Sequence, residues 1–376
     1  MSIPFNKPYY TGRELDYMSE AMASGKLSGE GTFTQKCTAF FESRYGIPKA
    51  FLTTSCTDAL EMIAILLDIK PGDEVIAPAY TFVSTVNAFV LRGARIVFAD
   101  SNAENPNVDV SRLESLITPN TKAIVTMHYA GIACDMDVVM ELANRHGIAV
   151  VEDAAQAVDA YYKGRPLGTI GHLAAFSFHE TKNIIAGEGG LLAINDPRFL
   201  NRAEIISEKG TNRKAFVRGE VVKYEWVDIG SSFMPSELTA AFLYAQLEQL
   251  PRIQEKRLAL WQAYYDSLAD QEAKGFLKRP QLSPGAAHNG HIFYIVLNDS
   301  KQRQALIHFL KEKGISSAFH FLSLNQSRFY AAQNTGRLIW SDHYTEALLR
   351  LPMYHDLGFD ELAYICEQVA AFFSGI

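Results

Sequence analysis

The chain has 376 residues, 48% of them hydrophobic and 20% charged. This is the balance of a soluble globular protein, and the length calls for two domains rather than one core. A net charge of −7 argues against nucleic acid or an anionic membrane as the main partner. No apolar run reaches the roughly 20 residues of a membrane span, and the start Met1 to Asn6 lacks the build of a signal peptide. A cytoplasmic setting is expected. The cysteines Cys37, Cys56, Cys134 and Cys366 are scattered, and the histidines show no ligand spacing. Neither a disulfide framework nor a metal site is signalled.

The stretch Gly12 to Ala23 reads as a helix with Leu15, Met18 and Met22 on one face. The Gly-rich turn 24–32 matches no nucleotide-phosphate motif. It is either a plain loop before the helix 33–45 or a substrate-contacting loop that uses Ser28. From residue 50 strands and helices alternate: strands at 50–54, 74–77, 95–99, 121–127 and 148–151, with helices at 55–67, 82–91, 111–117 and 136–146. Short apolar strands between amphipathic helices predict an α/β fold, a mostly parallel sheet covered by helices on both faces. A strand at 191–194 and a helix at 197–209 follow, then a polar loop or lid over 210–226. The stretch 236–268 is strongly helical, broken or kinked at Pro251. A strand at 291–297 and helices at 301–313 and 361–373 complete the chain. The expected division is a large domain over 1–249, with an N-terminal arm, and a smaller α+β domain over 250–376.

In parallel sheets ligands bind beyond the carboxyl ends of the strands. The segment Ala175-Phe176-Ser177-Phe178-His179-Glu180-Thr181-Lys182-Asn183 runs on into Gly187-Glu188-Gly189-Gly190, with apolar runs on both sides of Lys182. A lysine held there loses solvation and has its pKa lowered, as a Schiff-base nucleophile needs. The working reading is that Lys182 carries pyridoxal phosphate. Such a cofactor requires a phosphate cradle, an acid for its pyridine nitrogen and a stacking ring.

Three strand ends offer them. Ser55-Cys56-Thr57 lies where free helix N–H groups favour an anion, though a ligand-free N-cap is the plain alternative. Glu152 and Asp153 follow a buried strand, and Asp153 needs a cationic partner: a structural Lys or Arg, or a protonated pyridine. Gln156 lies a few residues on, within reach of the cofactor's phenolic oxygen. Phe82 is either a stacking ring or ordinary core.

The ordered set Thr57, Phe82, Glu152-Asp153-Ala154-Ala155-Gln156, Ser177-Phe178-His179-x-x-Lys182-Asn183 and Gly187-Glu188-Gly189-Gly190 resembles the DegT/StrS sugar-nucleotide aminotransferases, which are fold-type I PLP enzymes. Glu14 to Met18, Tyr80 to Thr85, His128 to Gly131 and Glu208 to Arg213 look like the branch that makes dTDP-4-amino-4,6-dideoxygalactose for enterobacterial common antigen and related glycans. The resemblance implies that Lys182 is the catalytic Schiff-base lysine. Asp153 would bind the pyridine nitrogen, Gln156 the phenolic oxygen and Phe82 the ring face, with Cys56, Thr57 and Ser177 on the phosphate. It also implies a homodimer with shared sites, in which Ser232 stands where family members carry a cross-subunit asparagine. Ser28, Asn183 and His320 are candidates for the substrate side. The family's Y-x-P-L-H element departs here to Phe321-Leu322-Ser323-Leu324-Asn325.

The implied reaction is transfer of the amino group of L-glutamate to dTDP-4-keto-6-deoxyglucose. The alternatives are a gluco product, the 3-keto isomer as acceptor, or a PLP-binding regulator without turnover.

Overall fold

The computed structural model describes residues 2–330 and 336–375. The central sheet has the strands β1 (Lys49–Thr53), β2 (Glu74–Pro78), β3 (Arg95–Ala99), β4 (Thr121–Met127), β5 (Ala149–Asp153), β6 (Leu173–Ser177) and β7 (Gly190–Ile194). Across the sheet their order is β1-β7-β6-β5-β4-β2-β3. The strands β2 to β6 run parallel, while β7 is antiparallel to both β1 and β6.

Every residue of β2, β6 and β7 is buried, because helices cover both faces and each strand must be apolar throughout. Alternate residues feed two cores. Val150 and Leu191 join one cluster, with Phe33, Phe41, Leu142 and Leu243. Val151 and Leu192 join the other, with Leu60, Ile63 and Phe89. The first cluster lies under α1 (Glu14–Ala23) and α2 (Thr32–Tyr45), and the second, on the opposite face, under α3 (Cys56–Leu66) and α4 (Ser84–Val90). The helix α5 (Met136–His146) also packs in the first cluster.

Helix α1 departs from the pattern expected of it. Leu15 and Met22 are 79% and 56% exposed, while Tyr17 and Ala21 are buried. The cause is Glu14, whose carboxylate accepts the N–H groups of Thr11 and Gly12 at 2.7 and 2.9 Å and the Gln246 amide at 2.7 Å. That anchor turns residues 14, 17 and 21 inward and leaves Leu15 and Met22 outside, with Met18 packed at the edge of the core.

The helical stretch 236–268 is broken next to Pro251 into two helices, α6 (Glu237–Glu248) and α7 (Leu250–Ser267). Pro251 sits in the first turn of α7, where its missing N–H costs nothing. Leu250 and Ile253 still pack in the large core. From Leu260 onward the chain builds a third cluster with Phe293, Leu349, Ile365 and Phe373, joined by Ile3 from the N-terminal segment. The strands Phe293–Val296 and Leu348–Leu351 pair antiparallel there. That second strand and the helix Ile339–Ala347 before it have no clean apolar period in the sequence.

Two acids end β5 and point to opposite faces. Glu152 is fully buried and accepts from the backbone N–H groups of Gly168, Ile170 and Gly171 at 2.8, 2.7 and 2.6 Å. His128 Nε2 completes the set at 2.9 Å. The Cys134 N–H is donated to His128 Nδ1, which assigns the ring proton to Nε2 and makes it a donor to Glu152. Burial alone would raise the Glu152 pKa, but these donors hold it below the ordinary 4.5. Replacing Glu152 by alanine leaves buried donors without an acceptor and is expected to cost about 3–5 kcal/mol, read as a drop in denaturation midpoint at neutral pH. Because the folded pKa is depressed, this contribution is full above pH 4.5 and is lost as pH falls through the folded value. An alanine variant as stable as the native chain at neutral pH contradicts this account.

Candidate active site

A cleft of about 370 Å³ opens beyond the carboxyl ends of the central strands, where the parallel sheet places it. It brings together Cys56, Thr57, Phe82, Asp153, Gln156, Ser177, Lys182 and His320. At one end is the start of α3. Ser55 is its N-cap, with Oγ accepting from Asp58 N at 3.1 Å. The next residues, Cys56 and Thr57, line the cleft at the positive end of the helix dipole. Burial pushes the Cys56 thiol well above its ordinary pKa, so Cys56 offers a backbone N–H rather than a thiolate. Thr57 Oγ1 donates to Ser84 Oγ at 2.8 Å and ties α3 to α4.

Asp153 is buried on the cleft side. Thr85 Oγ1 donates to its Oδ2 at 2.6 Å and Ala155 N to its Oδ1 at 3.1 Å. Among the described residues no arginine or lysine forms an ion pair with Asp153; two neutral donors hold the carboxylate instead. Burial raises its pKa, and the hydrogen bonds and the more distant Lys182 only partly oppose this. Thr85, which the sequence reading passed over, stands in the hydroxyl cluster Thr81, Ser84, Thr85 at a helix start, a signal that could have found it.

Lys182 lies in the loop that joins β6 to β7. Phe178 N donates to Gly189 O and Glu180 N to Gly187 O, both at 2.8 to 2.9 Å, closing the loop as a hairpin. Burial lowers the Lys182 pKa below the ordinary 10.5; Cys56 and Asp153 pull it back up, and the Arg350 charge pushes it down again. Phe82 is 57% exposed and belongs to the cleft wall, not to the core. Gln156 is not on a helix; it follows β5 in a turn. Its Oε1 accepts from Ala130 N at 2.6 Å, which leaves Nε2 as the donor.

Other expected residues lie elsewhere. Asn183 is buried and turned away from the main cleft. It donates to Gln254 Oε1 and Asn289 O and receives the His291 ring at 2.9 Å. Its amide is spent on hydrogen bonds within this chain, and the structure does not bring it to the main cleft. Ser28 and Ser232 are exposed and line none of this chain's main cleft. In the altered segment, Phe321 joins the cleft wall, while Ser323 and Asn325 are buried and hydrogen-bonded to each other at 2.6 Å. Arg350 and His291, which the sequence reading missed, border a side cavity next to Lys182. An arginine inside the apolar run Leu348 to Leu351 was the available signal.

These residues fit pyridoxal phosphate. A buried carboxylate held only by neutral donors suits a protonated pyridine nitrogen, a helix start suits the phosphate, and a desolvated lysine suits the aldehyde. The α/β fold, with its mostly parallel sheet, and this cleft define an aminotransferase that uses pyridoxal phosphate. The comparisons make the class specific. The chain belongs to the DegT/DnrJ/EryC1/StrS aminotransferase family, whose profile matches residues 8–370. It is 32% identical over 377 aligned positions to the spore coat polysaccharide biosynthesis protein SpsC of Bacillus subtilis, covering 98% of this chain and 96% of that one. Among solved structures it is similar to the aminotransferase TlmJ from Streptoalloteichus hindustanus, with 27% identity, TM-score 0.91 and 100% of both chains covered. It is also similar to Spr1654 from Streptococcus pneumoniae in its PLP form, with 25% identity and TM-score 0.90 over 100% of this chain and 99% of that one.

Borohydride treatment of the cofactor-loaded protein is expected to fix the cofactor on the peptide that contains Lys182, read by mass spectrometry. Lys182→Ala should abolish that adduct and lower turnover by on the order of 10³-fold or more. An adduct on another lysine overturns the assignment.

Proposed function

We propose that this chain transfers the amino group of L-glutamate to a nucleotide-linked keto sugar. The acceptor is dTDP-4-keto-6-deoxyglucose and the product dTDP-4-amino-4,6-dideoxygalactose, for a surface polysaccharide. The observation that carries an amino-transfer reading is the single cleft shared by the desolvated Lys182 and the uncompensated Asp153. The sugar reading draws on the polysaccharide role named for SpsC and on Spr1654, described as a sugar aminotransferase.

Bound in the cleft, pyridoxal phosphate supplies the electron sink for exchanging an amine with a carbonyl. The chain's own groups do the rest. The N–H groups at the start of α3, with Thr57 and Ser177, would hold the phosphate. Asp153, oriented by Thr85, would keep a proton on the pyridine nitrogen. Gln156 Nε2 would donate to the phenolic oxygen, and Phe82 would cover the ring. Lys182 Nζ takes the proton from the donor's α-carbon and later delivers one to the sugar carbon that receives nitrogen. A lowered lysine pKa suits that double duty near neutral pH. The face on which the proton arrives decides between galacto and gluco products.

The proposed assembly is a homodimer that shares residues between its sites. Val222 and Trp226 are 94% and 79% exposed, and Val217 and Tyr224 lie on the same stretch. So much apolar surface on one arm suits burial against a second copy. Ser28 and Ser232, unplaced in this chain's own cleft, are then available to the partner's. The proposed setting is the cytoplasm, where the unpaired cysteines stay reduced.

Incubation with dTDP-4-keto-6-deoxyglucose and L-glutamate should yield 2-oxoglutarate and an amino sugar, with stereochemistry read by NMR. Product from the 3-keto isomer alone would reassign the acceptor, and cofactor binding without turnover would favour a regulator. Asp153→Ala should retain the fold and lose on the order of 10²–10³-fold in turnover. For the assembly, light scattering should give twice the chain mass, and Trp226→Asp should shift it toward the monomer.

A further inference from the structure

A side cavity of about 50 Å³ adjoins the main cleft and shares Gln156, Lys182 and His320 with it. Its far wall is Arg350, from the strand Leu348–Leu351. The guanidinium lies 4.4 Å over the Phe5 ring. Its Nε is sealed from solvent without an acceptor. Among the described residues the side chain's hydrogen bonds run only to the His320 ring nitrogens, 3.0 and 3.2 Å from Nη1. No carboxylate of these residues forms an ion pair with it, although the chain pairs many surface arginines.

A buried cation with an idle donor is costly unless something supplies an anion. Among the described residues that line the cavity none carries a carboxylate. His291 donates Nδ1–H to Asn183, and burial pushes the pKa of His291 and of His320 well below the ordinary value, with the nearby charges of Arg350 and Lys182 adding to it. Both rings are neutral. The positive charge of the cavity therefore rests on Arg350 and Lys182, and the arginine's planar fork matches a carboxylate.

Position separates the candidate anions. The cofactor's phosphate would be held at the start of α3, where Ser55, Cys56 and Thr57 line the main cleft and not this cavity. A nucleotide sugar carries its diphosphate on the anomeric carbon, across the ring from a 4-keto group. An α-amino acid carries its carboxylate on the same carbon as the reacting amine, so it must lie next to Lys182. We infer that the Arg350 cavity is the carboxylate subsite of the amino donor, where the guanidinium holds the α-carboxylate of an amino acid and presents its α-carbon to Lys182. This rests on the aminotransferase reading and deepens it. His320 keeps the guanidinium in place when no donor is bound.

Arg350→Gln is expected to keep its cofactor content, by absorbance, and its affinity for dTDP. Its dissociation constant for glutarate, by calorimetry on the cofactor-loaded protein, should rise about 10–100-fold. The KM for L-glutamate in the half-reaction without sugar should rise likewise. Unchanged glutarate affinity, or a loss that falls on dTDP instead, overturns the inference. Should the variant fail to fold, the native protein decides. There 4-aminobutyrate, which lacks the α-carboxylate, should react at least about 100-fold more slowly than glutamate, and equal rates overturn the subsite. A native protein that reacts with glutamate but aminates no keto sugar refutes the sugar reading and leaves the subsite standing.

Discussion

The uncompensated carboxylate of Asp153 is the constraint around which the rest of the site is arranged. Its neighbour Glu152 shows what the same strand end does with an acid meant to be structural. Glu152 receives three backbone N–H groups and an imidazole, and its pKa falls. Asp153 receives one hydroxyl and one N–H, and its pKa rises. Adjacent acids pushed in opposite directions mark a division of labour. Glu152 fixes the end of β5 from the face opposite Asp153. On the proposed reading Asp153 takes its positive charge from a ligand.

The lysine reaches that ligand because the sheet reverses. β6 and β7 are consecutive and antiparallel, so the chain between them must turn back over the cleft, and Lys182 sits on that turn. The return strand begins at Gly190. A Cβ there would collide with the backbone of Ser55 and Cys56. Glycine lets β7 pass directly against the start of α3, which brings the phosphate cradle and the lysine loop to one place. The glycine cluster after Lys182 is thus a packing requirement as much as a flexible loop.

Much of this was legible in the sequence, for physical reasons. The parallel strands were found because burial on both faces makes them continuously apolar, and the strand ends then pointed to Cys56, Thr57, Asp153 and Lys182. What local pattern could not show is tertiary. Leu15 and Met22 form an apolar stripe, but Glu14's three donors outweigh it and turn the helix the other way. Asn183, one residue from the lysine, is drawn inward by Gln254, Asn289 and His291, partners far away in the chain. Arg350 comes from a strand that pairs only with Phe293–Val296, so no motif near Lys182 announces it.

The distant origin of Arg350 has an electrostatic consequence. Its position is set by the smaller core, to which the N-terminal segment is pinned by Ile3, whose N–H donates to Gly314 O at 2.8 Å. Phe5, from that same segment, lies under the guanidinium. Held there, Arg350 is one of the two influences that lower the Lys182 pKa, the other and larger being burial. On the proposed subsite, a carboxylate held by Arg350 would offset that like-charge repulsion, and Lys182 would then hold a proton more tightly than in the empty cleft. The arginine and the lysine thus share one charge balance, although one comes from a strand of the smaller core and the other from the loop between β6 and β7.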